Sequence, residues 1–236
     1  MNFFGACKYG DFELVKTLSE QFQDWDLGMC CACLRGHMNI VTLMIEKGAN
    51  NWNTGMVSAC LGEHMDIVKL MIQKGANNWN DGMVSACRTG YIDIVKFMIQ
   101  KGADDWNDGM IQACWAGYID IVKFMIQKGR SSSSAKPADD WNDGMIHACW
   151  GGNIKIVKLM ISERQKSGEK GAITLKLNED LKKKLVYSLS FSELKKYMKI
   201  VPFDVKKMIQ KRLYFFFQVY TNIFGSNNMF PVLVKK

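Results

Sequence analysis

Apolar residues in this chain recur with helical spacing. Between residues 81 and 107, Met83, Ala86 and Cys87 stand at i, i+3 and i+4, and Ile94, Val95 and Met98 repeat that spacing further on. Polar and glycine residues divide the two groups. This pattern predicts two short helices. The first is expected to open on Asp81 as N-cap and to close at Gly90, a residue that takes the left-handed conformation easily. The second is expected from about Ile92 to Lys101, closed by Gly102.

The unit recurs. Trp25, Trp52, Trp79 and Trp106 are 27 residues apart, and Trp141 follows after 35. Gly28, Gly55, Gly82, Gly109 and Gly144 keep the same spacings. A fixed period in this range means stacked units, none of which buries its apolar face alone. Six units are read. The first is degenerate and keeps Ala6, Cys7, Gly10, Leu14 and Val15; the others begin near Met29, Met56, Met83, Met110 and Met145. The tryptophans are read as structural, stacking between repeats, with the following asparagine bonding backbone in the turn. At Glu63 the helix-ending glycine is missing and Gly62 stands one residue earlier. Either the turn shifts by one residue there or Glu63 is strained, and the shift is the expectation.

Charge divides the chain. Residues 1–164 hold 16 Lys+Arg against 18 Asp+Glu, whereas residues 165–236 hold 15 against 5. The overall +8 therefore belongs to the tail, and the two parts are expected to do different work. No apolar run is long enough to cross a bilayer, and the start does not resemble a secretory signal. Of the eight cysteines, Cys33, Cys60, Cys87, Cys114 and Cys149 hold one equivalent repeat position. That points to packing in a reducing compartment, cytoplasmic or nuclear.

The unit resembles the ankyrin repeat. The family pattern Thr-Pro-Leu-His-x-Ala-Ala-x-x-Gly-His, then x-x-Val-Val-x-Leu-Leu-Leu-x-x-Gly-Ala, lies without a gap on Asp81 through Ala103. Asp81 and Gly82 replace Thr-Pro, Met83 the Leu, Ala86 and Cys87 the Ala pair, and Tyr91 the His that His37 and His64 retain. Only Asp104, Asp105, Trp106 and Asn107 separate Ala103 from the next Asp, a connector shorter than the family's turn finger. Such repeats are similar to those in ankyrin-rich proteins of large DNA viruses, which would place the chain in an infected host cell. The fold class implied is all-α: an ankyrin-type helical solenoid of about six helix–turn–helix repeats over residues 1–164, with a small helical C-terminal segment. The function implied is protein–protein interaction by a monomer through the groove lined by the first helices.

On that resemblance the partner-binding stripe is Lys8, Tyr9, Leu34, Arg35, Leu61, Arg88, Thr89, Trp115 and Trp150, with Gly62, Ala116 and Gly151 beside it. These positions vary from unit to unit while the helix cores repeat, as recognition requires. Trp115 and Trp150 stand off the tryptophan ladder and, with Arg88 and Arg35, are the expected anchors. The competing reading packs both rings against neighbouring helices.

Little supports chemistry. Cys30, Cys31, Cys33 and His37 lack the spacing of a zinc site, and Cys33 is a core position. The three histidines fit no nucleophile arrangement, and no glycine-rich phosphate loop occurs. No metal, cofactor or enzymatic activity is expected. The insertion 130–137 reads as a flexible loop, with Ser131, Ser132, Ser133 and Ser134 as candidate phosphorylation sites after Arg130.

Residues 165–172 read as a linker and 173–236 as a basic helical segment. The simplest role for that segment is to cap the solenoid end. Leu177, Leu181, Leu185, Leu189, Phe191 and Leu194 also resemble F-box spacing, which implies docking to a Skp-family adaptor of a cullin-type ubiquitin ligase. Asn178 stands where that family has Pro, and Lys182, Lys183 and Lys184 replace apolar positions. Nucleic-acid or anionic-membrane binding is a third and weaker reading, because short lysine clusters on helices usually mark solvated faces.

Overall fold

The computed structural model describes residues 2–22, 24–131, 138–168 and 207–210. Among these residues the architecture is all-helical, with six successive helix pairs. They are α1 (Phe3–Tyr9) with α2 (Phe12–Leu18), α3 (Trp25–Arg35) with α4 (Met38–Lys47), and α5 (Trp52–Leu61) with α6 (Met65–Lys74). They continue with α7 (Trp79–Thr89) and α8 (Ile92–Lys101), α9 (Trp106–Ala116) and α10 (Ile119–Ser131), and α11 (Trp141–Trp150) and α12 (Ile154–Lys166). Each first helix packs on its own second helix and on the first helices before and after it. The stack is therefore a solenoid of six repeats, as expected.

One apolar core runs through the stack. In the fourth repeat Met83, Ala86 and Cys87 from α7 and Ile94, Val95 and Met98 from α8 are buried, as their spacing predicts. The helices of a pair meet closely because a glycine faces a methionine. A Cβ on Gly55, Gly82 or Gly144 would lie 2.8–2.9 Å from the sulfur of Met71, Met98 or Met160 in the same repeat. A larger residue there would force the thioether to shift within the packed core.

The first helices begin earlier than the spacing predicts. Asn78 is the N-cap of α7, so Trp79 is the first helical residue and Asp81 the third. Asp81 is thus a first-turn acid, favoured by the positive end of the helix, and accepts a hydrogen bond from the Asn78 side chain. The same shift puts each ladder tryptophan at the start of a first helix. Trp52 and Trp79 lie beside Gly75 and Gly102, which end the second helix of their own repeat. Trp106 and Trp141 are buried.

The residue after the tryptophan bonds to the connector of the next repeat. Asn53 Oδ1 accepts from the backbone N–H of Asn77 (2.8 Å) and Asn78 (3.0 Å). Asn80 does the same for Asp104 (2.8 Å) and Asp105 (3.2 Å), and Asn107 for Asp139 and Asp140 (both 3.0 Å). In the second repeat Asp26 serves Asn50 and Asn51, both at 2.8 Å. The short connectors have no ladder of their own to satisfy these N–H groups, so the preceding repeat supplies the acceptor.

The turn at Glu63 does not shift. Gly62 keeps a right-handed conformation, and Glu63 itself is left-handed with φ 66°. Two backbone constraints explain this. The equivalent residue Gly90 is left-handed in the same register, and a Cβ on Gly62 would strike the Leu34 carbonyl oxygen. The glycine is thus needed for close approach, and Glu63 takes the strained position.

Two boundaries also differ from the expectation. Helix α10 runs through Gly129, so Arg130 and Ser131 are helical and do not open the loop; residues 132–137 lie outside the described residues. Gly129 is buried against the returning backbone of Ala138. Arg130 donates to Glu163 at 2.7 Å and lies 5.7 Å from the Trp141 ring centroid, tying the fifth repeat to the sixth. Helix α12 likewise continues to Lys166, two residues into the expected linker. Of the tail, only Lys207–Gln210 is described; it is helical, with Ile209 buried in the core and Met208 packed against it.

Replacing Asn80 with Ala removes both acceptor bonds to the next connector and is expected to cost about 1–2 kcal/mol of stability. Asn80→Asp, which copies Asp26, should retain most of it. Denaturant titration of both variants decides this, and equal losses would remove the acceptor role. Glu63→Gly should stabilise the chain by about 1 kcal/mol by relieving the left-handed strain. A lowered thermal midpoint would contradict that reading.

Candidate partner-binding groove

Most of the stripe expected from the sequence lies at the C-terminal ends of the first helices. Lys8 and Tyr9 end α1, Leu34 and Arg35 end α3, Leu61 ends α5, and Arg88 and Thr89 end α7. Trp115 is the penultimate residue of α9 and Trp150 the last of α11. Each helix reaches its neighbour here. A Cβ on Gly151 would strike the Trp115 carbonyl oxygen, and the Arg88 guanidinium lies 5.6 Å from the Trp115 ring centroid. Arg88, Trp115 and Trp150 therefore form one row across three repeats.

The row is exposed. Trp115 is 44% and Trp150 60% accessible, against 5% for Trp106 and 2% for Trp141 on the ladder. The two off-ladder rings are thus far more open than Trp106 and Trp141, although Trp115 also packs against Arg88 of the preceding repeat. Tyr9, Leu34, Arg35 and Lys8 are also exposed, whereas Leu61 and Thr89 are half-buried. The Thr89 hydroxyl is spent on its own helix, donating to Ser85 O at 3.1 Å. The His147 ring meets Trp150 edge-on at 4.8 Å and fixes one side of that indole.

At two joints the residue just before the second helix bonds back to the row. His37 Nε2 lies 3.2 Å from Lys8 O. In the sixth repeat Asn153 takes over that position and donates to Cys114 O (3.0 Å) and Trp115 O (2.9 Å). These contacts bond the otherwise orphaned carbonyls at the helix end of the preceding repeat. His37 is therefore an inter-repeat cap in this fold.

Residues on the same face escaped the sequence reading. Asp108 and Asp143 are exposed and lie two turns before Trp115 and Trp150 on α9 and α11. The i, i+7 spacing that places them was legible in the sequence, but they were hidden behind a capping role for aspartate. Leu27, Met38 and Tyr118 are further exposed apolar side chains.

No reactive thiol or metal cluster accompanies the row. Among the described residues no group of His, Cys, Asp and Glu could hold a metal ion. Burial pushes Cys60, Cys114 and Cys149 up to about 12, and raises Cys33 and Cys87 as well. These thiols are neutral packing groups. The candidate adaptor-docking residues Leu177, Leu181, Leu185, Leu189, Phe191 and Leu194 lie outside the described residues, as do Ser132, Ser133 and Ser134. Ser131 is exposed at the end of α10, with its hydroxyl on Lys128 O at 3.1 Å.

A family model of ankyrin repeats in three copies matches residues 3–82 and 29–108. Residues 3–108 therefore carry ankyrin repeats. These repeats generally mediate protein–protein interaction, and their fold is typically a scaffold without catalysis. Among solved structures, the human ASB11 ankyrin repeat domain superposes with a TM-score of 0.52 at 17% identity, covering 80% of this chain and 98% of that one. At that identity the likeness shows the fold alone. No curated protein matches the chain. No helix among the described residues is long and apolar enough to cross a membrane.

The raised thiols set a pH dependence. An unfolded cysteine ionises near about 8.5, while these remain protonated in the fold. Their contribution is complete below that value and is lost as pH rises toward about 12. The denaturation midpoint should therefore fall between pH 9 and 11. Replacing Cys60, Cys114 and Cys149 with Ala should flatten the fall, and an unchanged slope would exclude the thiols as its source.

Proposed function

We propose that the chain is a protein-recognition scaffold that holds its partner along the first-helix ends, with Trp115 and Trp150 as anchors. The observation that carries this is the contrast between two classes of tryptophan. The ladder rings are wholly or partly buried, while these two are exposed in one row on a scaffold whose core positions repeat. Exposed Trp beside Arg is the usual make-up of an interface hot spot, where each truncation costs about 2 kcal/mol or more. Lys8, Tyr9, Leu34 and Arg35 extend the surface toward the first repeat.

The tail supports a structural role first, because Ile209 is buried with the repeat core. The ligase-adaptor reading rests on leucine spacing. Capture of a Skp-family adaptor by the full chain tests it, and no capture where an established F-box protein succeeds removes it.

Changing Trp115 and Trp150 together to Ala should weaken partner binding at least about tenfold and leave helical circular dichroism intact. Affinity purification of the two forms, compared by quantitative mass spectrometry, reads the effect. Proteins recovered equally by both forms would show that the interface lies elsewhere.

A further inference from the structure

The groove carries a charge pattern that narrows the kind of partner it fits. In the fifth and sixth repeats, the connectors and first helices (102–116 and 138–150) hold six aspartates and no lysine or arginine. The lysines of these two repeats stand instead on the second helices, at Lys123, Lys128, Lys155, Lys158 and Lys166. The acid side of each repeat is thus the side that presents Trp115 and Trp150.

Two of these aspartates lie on the same helix faces as the exposed rings. Asp108 and Trp115 are seven residues apart on α9, as are Asp143 and Trp150 on α11. Both carboxylates are exposed, and neither forms an ion pair among the described residues. The chain itself shows what such a surface accepts, because the Arg88 guanidinium already stands over Trp115. Trp150, one repeat on, is 60% exposed and has no cation over it among the described residues.

We propose that this end of the groove binds an arginine-bearing basic segment of a partner protein, one guanidinium stacking on Trp150 and a second cation reaching Asp143 or Asp108. This rests on the groove reading above and specifies its partner. An indole face attracts a guanidinium through its quadrupole, and a nearby carboxylate adds Coulomb attraction. Seven helical residues span about 10 Å at about 1.5 Å each. An extended peptide covers that distance in three residues at about 3.3 Å each. For a segment spanning Trp150 and Asp143 on α11, the expected ligand pattern is therefore Arg-x-x-Arg or Arg-x-x-Lys.

The test uses the full chain against a displayed library of random 12-residue peptides. Enriched peptides should carry two basic residues three apart. A synthetic peptide with Arg-Leu-Leu-Arg in a Gly-Ser frame should bind, and Asp108→Asn with Asp143→Asn should weaken it about tenfold. Trp150→Ala should weaken it likewise, and affinity should fall as salt rises. Circular dichroism confirms that each variant is folded. Peptides that need the tryptophans but are neutral or acidic would overturn this inference while leaving the groove reading intact. Basic peptides insensitive to the tryptophans would overturn both. Absence of any enriched peptide overturns the basic-segment proposal. So does carbodiimide coupling of Asp108 and Asp143 to the chain's own tail lysines in the free protein, since that would assign the site to the tail.

Discussion

Everything in this fold depends on neighbouring repeats burying each other's apolar sides. A single helix pair offers a small core: two methionines, an alanine, a cysteine and a few branched residues. Met83 or Met98 reaches full burial only because the α5 and α9 repeats close over its own. Full burial of such a side chain is worth about 1.5–3 kcal/mol, so the stack is stable where one unit is not. The glycine facing each methionine sets how near the two helices of a pair can come. The Ala-Cys pairs keep the inner row slim enough for adjacent first helices to pack.

The connectors between repeats are short and have no internal partners for their backbone donors. The residue after the tryptophan, Asp26, Asn53, Asn80 or Asn107, meets this need from the preceding repeat. The bond ties the entry of one first helix to the start of the previous one. It also explains how the stack absorbs an insertion between the fifth and sixth repeats. Asn107 still holds Asp139 and Asp140, Gly129 still meets Ala138, and Arg130 bridges to Glu163 where the earlier repeats carry lysine. Burial works against the Glu163 carboxylate, but hydrogen bonds from Lys166 and Arg130 outweigh it and hold the group below its usual range.

A scaffold fixed by these contacts leaves the ends of the first helices free to vary. Position by position, that row reads Lys8, Leu34, Leu61, Arg88, Trp115 and Trp150, while the buried positions two and one residues before them are Ala and Cys throughout. The change from aliphatic to aromatic along the row, with aspartates entering on the same faces, gives the two ends of the stack different exposed chemistry. The unused thiols and the caps at His37 and Asn153 belong to the scaffold.

The repeat period, the number of units, the helix type and the inward faces were all legible in the sequence. Each is written as a local rhythm, Met83-x-x-Ala86-Cys87 and Ile94-Val95-x-x-Met98, repeated with little change. The candidate stripe was chosen for the complementary reason, since variation stands out against repetition, and its positions fall at the ends of the first helices. Where the sequence reading failed, the deciding contact came from another repeat. The Leu34 carbonyl claims Gly62, so Glu63 must turn left-handed. Ala138 claims Gly129, so α10 continues where its sister helices stop. The connector after Asn80 claims that side chain, and its helix begins at Trp79. Local sequence determines which helices form and which sides they bury. Which residue yields at each joint is decided by atoms from the neighbouring repeat, a distance no local pattern encodes.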